Sequence, residues 1–320
     1  MNVFQYATAQ SPATARELAG SNGAYLAGGN DLLNRMKDHL VEPKTLVNIK
    51  SLPGLNKIET GDQLWKIGAT VTIAELEDHS ELKKVFPGLQ EAAAEVGSRQ
   101  IRNVATVGGN LSQHSRCWYY RHRDTVCLKK NGDLCYARHG ENKYHSLFSG
   151  NTCISPVVSN LSIALAALDT TAIVWRDGKE VRLSIPELYA RAWENPTAHN
   201  SLQVGDLILR VEIPVQGRRS AYQQISEKAS FDWALVSCSA AARVDGKKVG
   251  QVKIALGAIS PVPHMVRTAH EFLEGKTLDE ATADRAADLI LAGAQPMEHN
   301  GYKLAIARAL IRRTLLQLVA

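Results

Sequence analysis

Apolar positions along this chain change their period from region to region, and each change marks a shift in the element predicted. Up to about residue 55 short strand-like runs alternate with helix-spaced ones: a strand at 3–6, a helix at 13–18, a strand over 25–29 entering a glycine turn, a helix at 31–37 and a strand at 45–49. This order predicts a small βαβ-like unit. A strand at 64–67 follows, then a helix over 73–76 whose first turn the Thr72 hydroxyl can cap, and a helix over 89–96 ended by Gly97. Farther on, a helix at 161–168 leads to strands at 171–175 and 180–183, joined through Asp177-Gly178, a strong hairpin signal.

A third region begins near Gly217. Strands at 221–225, 234–244 and 252–258 enclose a second hairpin turn at Asp245-Gly246, and helices follow at 266–273, 279–291 and 302–318. The pattern predicts an α+β chain: two subdomains over 1–55 and 56–215, then a smaller sheet backed by helices over 216–320.

Composition narrows the classes. With 320 residues, 45% of them hydrophobic, the chain can bury a substantial core, and no apolar stretch approaches the roughly 18–20 residues of a membrane span. A net charge of +5 is too small to argue for nucleic acid. The opening Met1-Asn2-Val3-Phe4 shows neither a basic leader nor an apolar signal core, so cytoplasmic residence is expected, with export beside a signal-bearing partner as the alternative. The charge is unevenly spread: between Ser112 and Ile154 seven basic residues face three acidic ones. That segment also holds four of the five cysteines, Cys117, Cys127, Cys135 and Cys153. Without an export signal, such clustering points to metal or redox chemistry before disulfides. The fifth, Cys238, lies on a strand face with Val236 and Ala240 and reads as buried packing.

Two Gly-Gly-Asn triplets stand out. One lies in Leu26-Ala27-Gly28-Gly29-Asn30-Asp31-Leu32-Leu33, between a strand and a helix; the other ends Thr106-Val107-Gly108-Gly109-Asn110-Leu111. Glycine lets a backbone approach a ligand, and a helix start presents unpaired N–H groups to phosphate. Two such loops suit a ligand with two phosphates. There is no G-x-G-x-x-G pattern.

These segments together resemble the paired FAD loops of the flavoprotein subunits of the xanthine dehydrogenase and carbon monoxide dehydrogenase family. The likeness extends over the whole chain, through Leu256-Gly257-Ala258-Ile259-Ser260-Pro261-Val262-Pro263 and the last helix with Arg312-Arg313. It implies that Leu26, Ala27, Gly28, Gly29, Asn30, Asp31 and Leu32 cradle a pyrophosphate, with Thr106, Gly108, Gly109 and Asn110 on the other side. Ser155, Asn160 and Leu161 match a further flavin-contacting element, and Lys228 opens a segment, 228–236, that approaches the flavin ring in the family. Asn160 departs from the family's usual Asp, and no histidine stands in the first loop to attach the flavin covalently. Dissociable FAD is the expectation.

In the family pattern Leu111 would run almost directly into Ser155; here the cysteine segment intervenes, beside the second loop. Its spacing, C-x9-C-x7-C-x17-C, contains neither the short pair usual in structural zinc sites nor ferredoxin-type C-x2-C runs. Insertions like it, however, occur in flavoprotein subunits of 4-hydroxybenzoyl-CoA reductases and periplasmic aldehyde oxidoreductases, where they hold a [4Fe–4S] cluster. The resemblance implies that role for the four cysteines; zinc remains open, as does replacement of one ligand by His114, His122, His139 or His145. Its basic excess reads either as a solvated face or as charge serving a cluster or an acidic redox partner.

The chain is thus expected to be the medium, electron-transfer subunit of a heteromeric complex. A small [2Fe–2S] subunit and a large molybdopterin subunit would be its partners, with an external electron acceptor or donor. A stand-alone flavin oxidoreductase is the rival expectation.

Overall fold

The computed structural model describes residues 1–229 and 231–320. Its first unit comprises β1 (Gln5–Thr8), α1 (Pro12–Ala19), β2 (Gly23–Leu26), α2 (Leu32–Lys37) and β3 (Thr45–Asn48), with the strands parallel in the order β1-β3-β2. The predicted βαβ-like unit is present, its first strand displaced toward Thr8. Ser11 starts α1 by accepting the Thr14 N–H at 3.1 Å, and Pro12 supplies a preset φ.

A five-stranded antiparallel sheet follows, in the order β4-β5-β8-β6-β7: β4 (Ile58–Glu59), β5 (Leu64–Gly68), β6 (Thr171–Arg176), β7 (Lys179–Ser184) and β8 (Leu207–Pro214). Helices α3 (Ile73–Asp78), α4 (Ser80–Val85), α5 (Pro87–Ala94), α6 (Arg99–Arg102), α7 (Val107–Ser112), α8 (Trp118–Arg121), α9 (Asn160–Ala167) and α10 (Ile185–Glu194) accompany it. Thr72 caps α3 as expected, in a reciprocal box with Glu75. Asp177 and Gly178 both have positive φ, 48° and 86°, which is the backbone a two-residue hairpin turn needs. The middle strand, β8, is absent from the sequence reading. It is buried on both faces over most of its length, so its apolar run lacks the alternation that identifies a half-exposed strand.

The C-terminal unit is the expected sheet, β9 (Arg219–Ile225), β10 (Val236–Asp245) and β11 (Lys248–Gly257), backed by α11 (Arg267–Leu273), α12 (Glu280–Leu291) and α13 (Tyr302–Gln317). Cys238 is fully buried in its core. Helix α9 is buried from Leu161 to Ala167 because it lies between this sheet and α5, joining the two larger units. No helix is long and apolar enough to cross a membrane among the described residues.

The segment 112–154 forms no strand; beyond α8 it has only short 3-10 turns at Leu128–Lys130 and Tyr136–Arg138. A long irregular segment leaves carbonyl oxygens without ladder partners, and its own cations supply many of them. Arg121 donates to Ser115 O, Lys129 to Ala198 O, Lys130 to His122 O and Arg138 to Thr152 O, at 2.6–2.8 Å. Arg116 pairs with Asp31 and Lys143 with Glu227. Six of the seven basic residues are therefore engaged within the chain, which corrects the picture of a solvated cationic face. The end of the segment belongs to the C-terminal unit: Leu147 and Phe148 pack in its core, and both N–H groups donate to Ile259 O.

Candidate functional site

The first glycine segment leaves the sheet at Leu26, the last residue of β2, and enters α2 at Leu32. Gly29 has φ +77°, which requires glycine. Gly28 is required for a different reason: a Cβ there would lie 2.1 Å from Val104 O, so the first segment presses directly on the chain leading to the second. Asn30 strengthens the contact by donating to Ile101 O at 3.3 Å. Among the described residues, no acceptor meets the backbone N–H groups of Gly28, Gly29, Asn30, Asp31 and Leu32. Five successive unpaired donors at a helix start are a set that could receive an anion, so this segment is termed the cradle. This is the fit expected of a pyrophosphate site.

The second segment is built differently. Gly108 and Gly109 lie in the first turn of α7, not in a loop, and their N–H groups are engaged: Gly108 donates to Ala69 O at 2.8 Å, and Gly109 to the capping Thr106 Oγ1 at 3.2 Å. Gly108 admits close packing on Ala69, while Gly109 is exposed. Asn110 is buried and accepts from Ser159 Oγ at 2.6 Å, bringing in the 155–161 element. Asn160 donates to Tyr222 Oη at 3.0 Å and Gln224 Oε1 at 2.7 Å, bonds that an aspartate could not donate. Leu161 is buried in the core. Lys228 is exposed and its backbone donates to Asp232; Ser230, within the same predicted segment, lies outside the described residues.

Asp31 joins the cradle to the cysteine segment. Its carboxylate pairs with Arg35 at 3.0 Å, Arg116 at 2.9 Å and Arg121 at 2.6 Å, and accepts the His114 N–H at 3.2 Å. Burial pushes its pKa up, but Arg116, Arg35 and Arg121 together hold it below the usual carboxylate value. Arg116 also lies 4.6 Å over the Trp233 ring, so the 228–236 segment does reach this cluster. Beside it His114 stacks on His199 at 3.8 Å and meets Tyr120 Oη at 2.8 Å. Burial keeps both imidazoles neutral, with nearby cations adding to the effect. Neither His199 nor Arg35 was legible as a site residue, because each meets His114 from about eighty residues away in sequence.

All four clustered cysteines line one pocket, together with Tyr119, Tyr120, Lys129, Tyr136 and His145. Cys127 and Cys153 are buried, Cys117 and Cys135 partly so, and none is in a disulfide. They surround the pocket without converging on a point: among the described residues no three His, Cys, Asp or Glu side chains are grouped so as to hold a single metal ion. Burial pushes the Cys117 thiol up to about 12 and raises Cys153 as well. His145, a candidate replacement ligand by sequence, is buried with Nε2 3.2 Å from Cys117 Sγ, and burial, with Lys303 nearby, lowers its pKa to about 4. Ser115 links the pocket to the 155–161 element, bonding Ser155 Oγ and accepting the Cys117 N–H at 3.0 Å.

Comparison with known proteins places this architecture. Residues 2–216 match the model of the FAD binding domain in molybdopterin dehydrogenase, and residues 220–318 that of the CO dehydrogenase flavoprotein C-terminal domain. The chain belongs to this flavoprotein family. It is 30% identical to the aldehyde oxidoreductase FAD-binding subunit PaoB of Escherichia coli K12, over 100% of this chain and 98% of that one. The carbon monoxide dehydrogenase medium chain of Hydrogenophaga pseudoflava is 26% identical, over 98% and 96%. Among solved structures, a chain of quinoline 2-oxidoreductase from Pseudomonas putida 86 superposes with TM-score 0.76 at 23% identity, covering 99% and 97%. The fold is therefore that of the CO dehydrogenase flavoprotein type, an FAD-binding domain followed by a C-terminal domain. FAD binding accords with the five free N–H groups of the first segment.

Proposed function

We propose that this chain is the FAD-binding electron-transfer subunit of a heteromeric molybdenum-containing oxidoreductase, with a [4Fe–4S] cluster held by Cys117, Cys127, Cys135 and Cys153. Its expected partners are a small [2Fe–2S] subunit and a large molybdopterin subunit, where the substrate, an aldehyde or an aromatic or CoA-thioester compound, is turned over. Family membership and near-complete overlap with subunits named as FAD-binding or medium chains support the first part. The observation that carries the second is the enclosure of all four clustered thiols in one pocket. A cube takes one thiolate at each of four irons, so its ligands surround a volume instead of meeting at a point.

Within the FAD domain, the N–H groups of Gly28 to Leu32 are assigned to the pyrophosphate. Leu26 and Ala27 form the approach, and Thr106, Gly108, Gly109 and Asn110 form the facing wall. Ser155, Asn160, Leu161 and Lys228 are assigned to the remaining flavin contacts. A bound flavin supplies the junction between two-electron and one-electron chemistry. The protein holds it in place and sets the cysteine pocket beside it through Ser115 and Asp31.

Anaerobic purification of the complex, with absorption spectra and flavin, iron, sulfide and zinc analysis, tests the reading. Flavin together with four irons assigned to this chain, lost on Cys127→Ser, is the expected result. Unchanged iron in that variant, or zinc in place of iron, refutes the cluster; substrate turnover by the isolated chain supports a stand-alone oxidoreductase instead.

A further inference from the structure

Lys129 occupies a position that the flavin and thiol ligand assignments leave unused. It follows Cys127 by two residues, is only 8% exposed, and lines two adjoining pockets. One is the cysteine pocket. The other is walled by Ser115, Ser155, Ser159 and His199, and so lies on the side of the 155–161 flavin element. Its Nζ donates to Ala198 O at 2.8 Å, and no carboxylate pairs with it among the described residues. A buried ammonium with one carbonyl partner is costly unless anionic groups face it. The groups that share its pocket are Cys117, Cys127, Cys135 and Cys153.

We infer that Lys129 is the counter-charge of the cysteine pocket, a positioning residue whose positive charge favours the reduced state of the cluster and raises its potential. The inference rests on the cluster reading above. Reduction adds one electron to the cluster, and that electron makes the pocket more negative. The attraction between the ammonium and the pocket therefore strengthens on reduction, and the equilibrium moves toward the reduced form. Five of the segment's six other cations are directed elsewhere: Arg121 and Arg116 to Asp31, Lys130 to His122 O, Arg138 to Thr152 O and Lys143 to Glu227. Lys129 alone among them lines the thiol pocket.

The test compares the anaerobically purified complex carrying wild-type chain, Lys129→Met or Lys129→Arg. Dithionite titration followed by electron paramagnetic resonance gives the cluster midpoint potential, and iron and sulfide analysis gives its occupancy. Lys129→Met is expected to keep its iron and to shift reduction at least tenfold against the reduced form, about 59 mV more negative for one electron. Lys129→Arg should stay near the wild-type potential. An unchanged potential in Lys129→Met with full iron overturns the inference. Should Lys129→Met lose iron, recovery of iron and potential in Lys129→Arg supports the counter-charge, and failure of that recovery overturns it. Absence of cluster iron from the wild-type chain itself overturns both readings, and the iron count, not the potential, identifies that outcome.

Discussion

At the scale of single residues, Asp31 shows how one side chain can answer to two parts of the molecule. It sits in the phosphate cradle by sequence, yet its carboxylate is taken up by Arg35, Arg116 and Arg121. Removing a partly buried anion that faces several cations leaves those cations uncompensated, which costs about 3–5 kcal/mol in fully buried cases and less with partial exposure. Asp31→Asn is therefore expected to lower flavin content and make residues 112–154 sensitive to protease, measured by flavin release and limited proteolysis. Lys303 is a second such residue. It is fully buried in α13, donates to Tyr144 O at 3.0 Å and Ala258 O at 2.8 Å, and burial lowers its pKa to about 7. Between that value and the unfolded lysine's roughly 10.4 the unfolded chain binds a proton that the folded chain lacks. Its contribution to stability is accordingly least favourable below pH 7 and rises with pH above it, by up to about 1.4 kcal/mol per unit. Denaturant unfolding of wild type and Lys303→Met from pH 6 to 10 should show the wild type gaining on the variant; parallel profiles would sink this account.

At the scale of elements, the two glycine segments look alike in sequence and differ in construction. Gly28 presses on Val104 O, whereas a Cβ at Gly109 meets only Thr106 Oγ1 at 2.9 Å. Gly28→Ala must push the two segments apart and should weaken FAD binding about tenfold or more, roughly 1.4 kcal/mol, while Gly109→Ala should perturb it less. Flavin titration of the two variants decides, and equal losses would mean that the segments contribute alike. The pairing of the triplets was legible because the same Gly-Gly-Asn motif recurs at Gly28 and Gly108. Their difference was not, because it depends on what lies across the gap from each glycine. Likewise the sequence exposed the hairpins at Asp177-Gly178 and Asp245-Gly246, whose turn chemistry is local, and hid β8, which is defined by β5 and β6 on either side. The cysteine segment was legible as a redox candidate from residue type alone. Its shape was not, since Ser115 O, His122 O and Thr152 O accept from Arg and Lys side chains instead of from a ladder.

At the scale of the whole molecule, the cysteine segment acts as a bridge between the flavin domain and the C-terminal unit. Its beginning is tied to the cradle through Arg116 and Arg121, and its end is built into the C-terminal core through Leu147 and Phe148. Asn300, fully buried, fixes that end by donating to His145 O and Ser146 O at 3.3 and 3.1 Å. The stretch 122–139 between these anchors carries Cys127 and Cys135 but neither of those two arginines nor Leu147 and Phe148. Two deletions should therefore behave differently. Replacing 122–139 by a glycine-serine linker leaves Arg116, Arg121, Leu147, Phe148 and the Asn300 contacts in place, so flavin content and the main unfolding transition should survive while any iron is lost. Replacing 112–154 removes two core side chains, each worth about 2–5 kcal/mol, and leaves the Asn300 amide and Lys303 short of carbonyl acceptors. It should unfold the C-terminal unit or shift its transition strongly downward. Thermal unfolding with flavin and iron analysis reads both cases. If the shorter deletion destabilises the chain as much as the longer one, the segment is a single folded body and not a pocket suspended between two anchors.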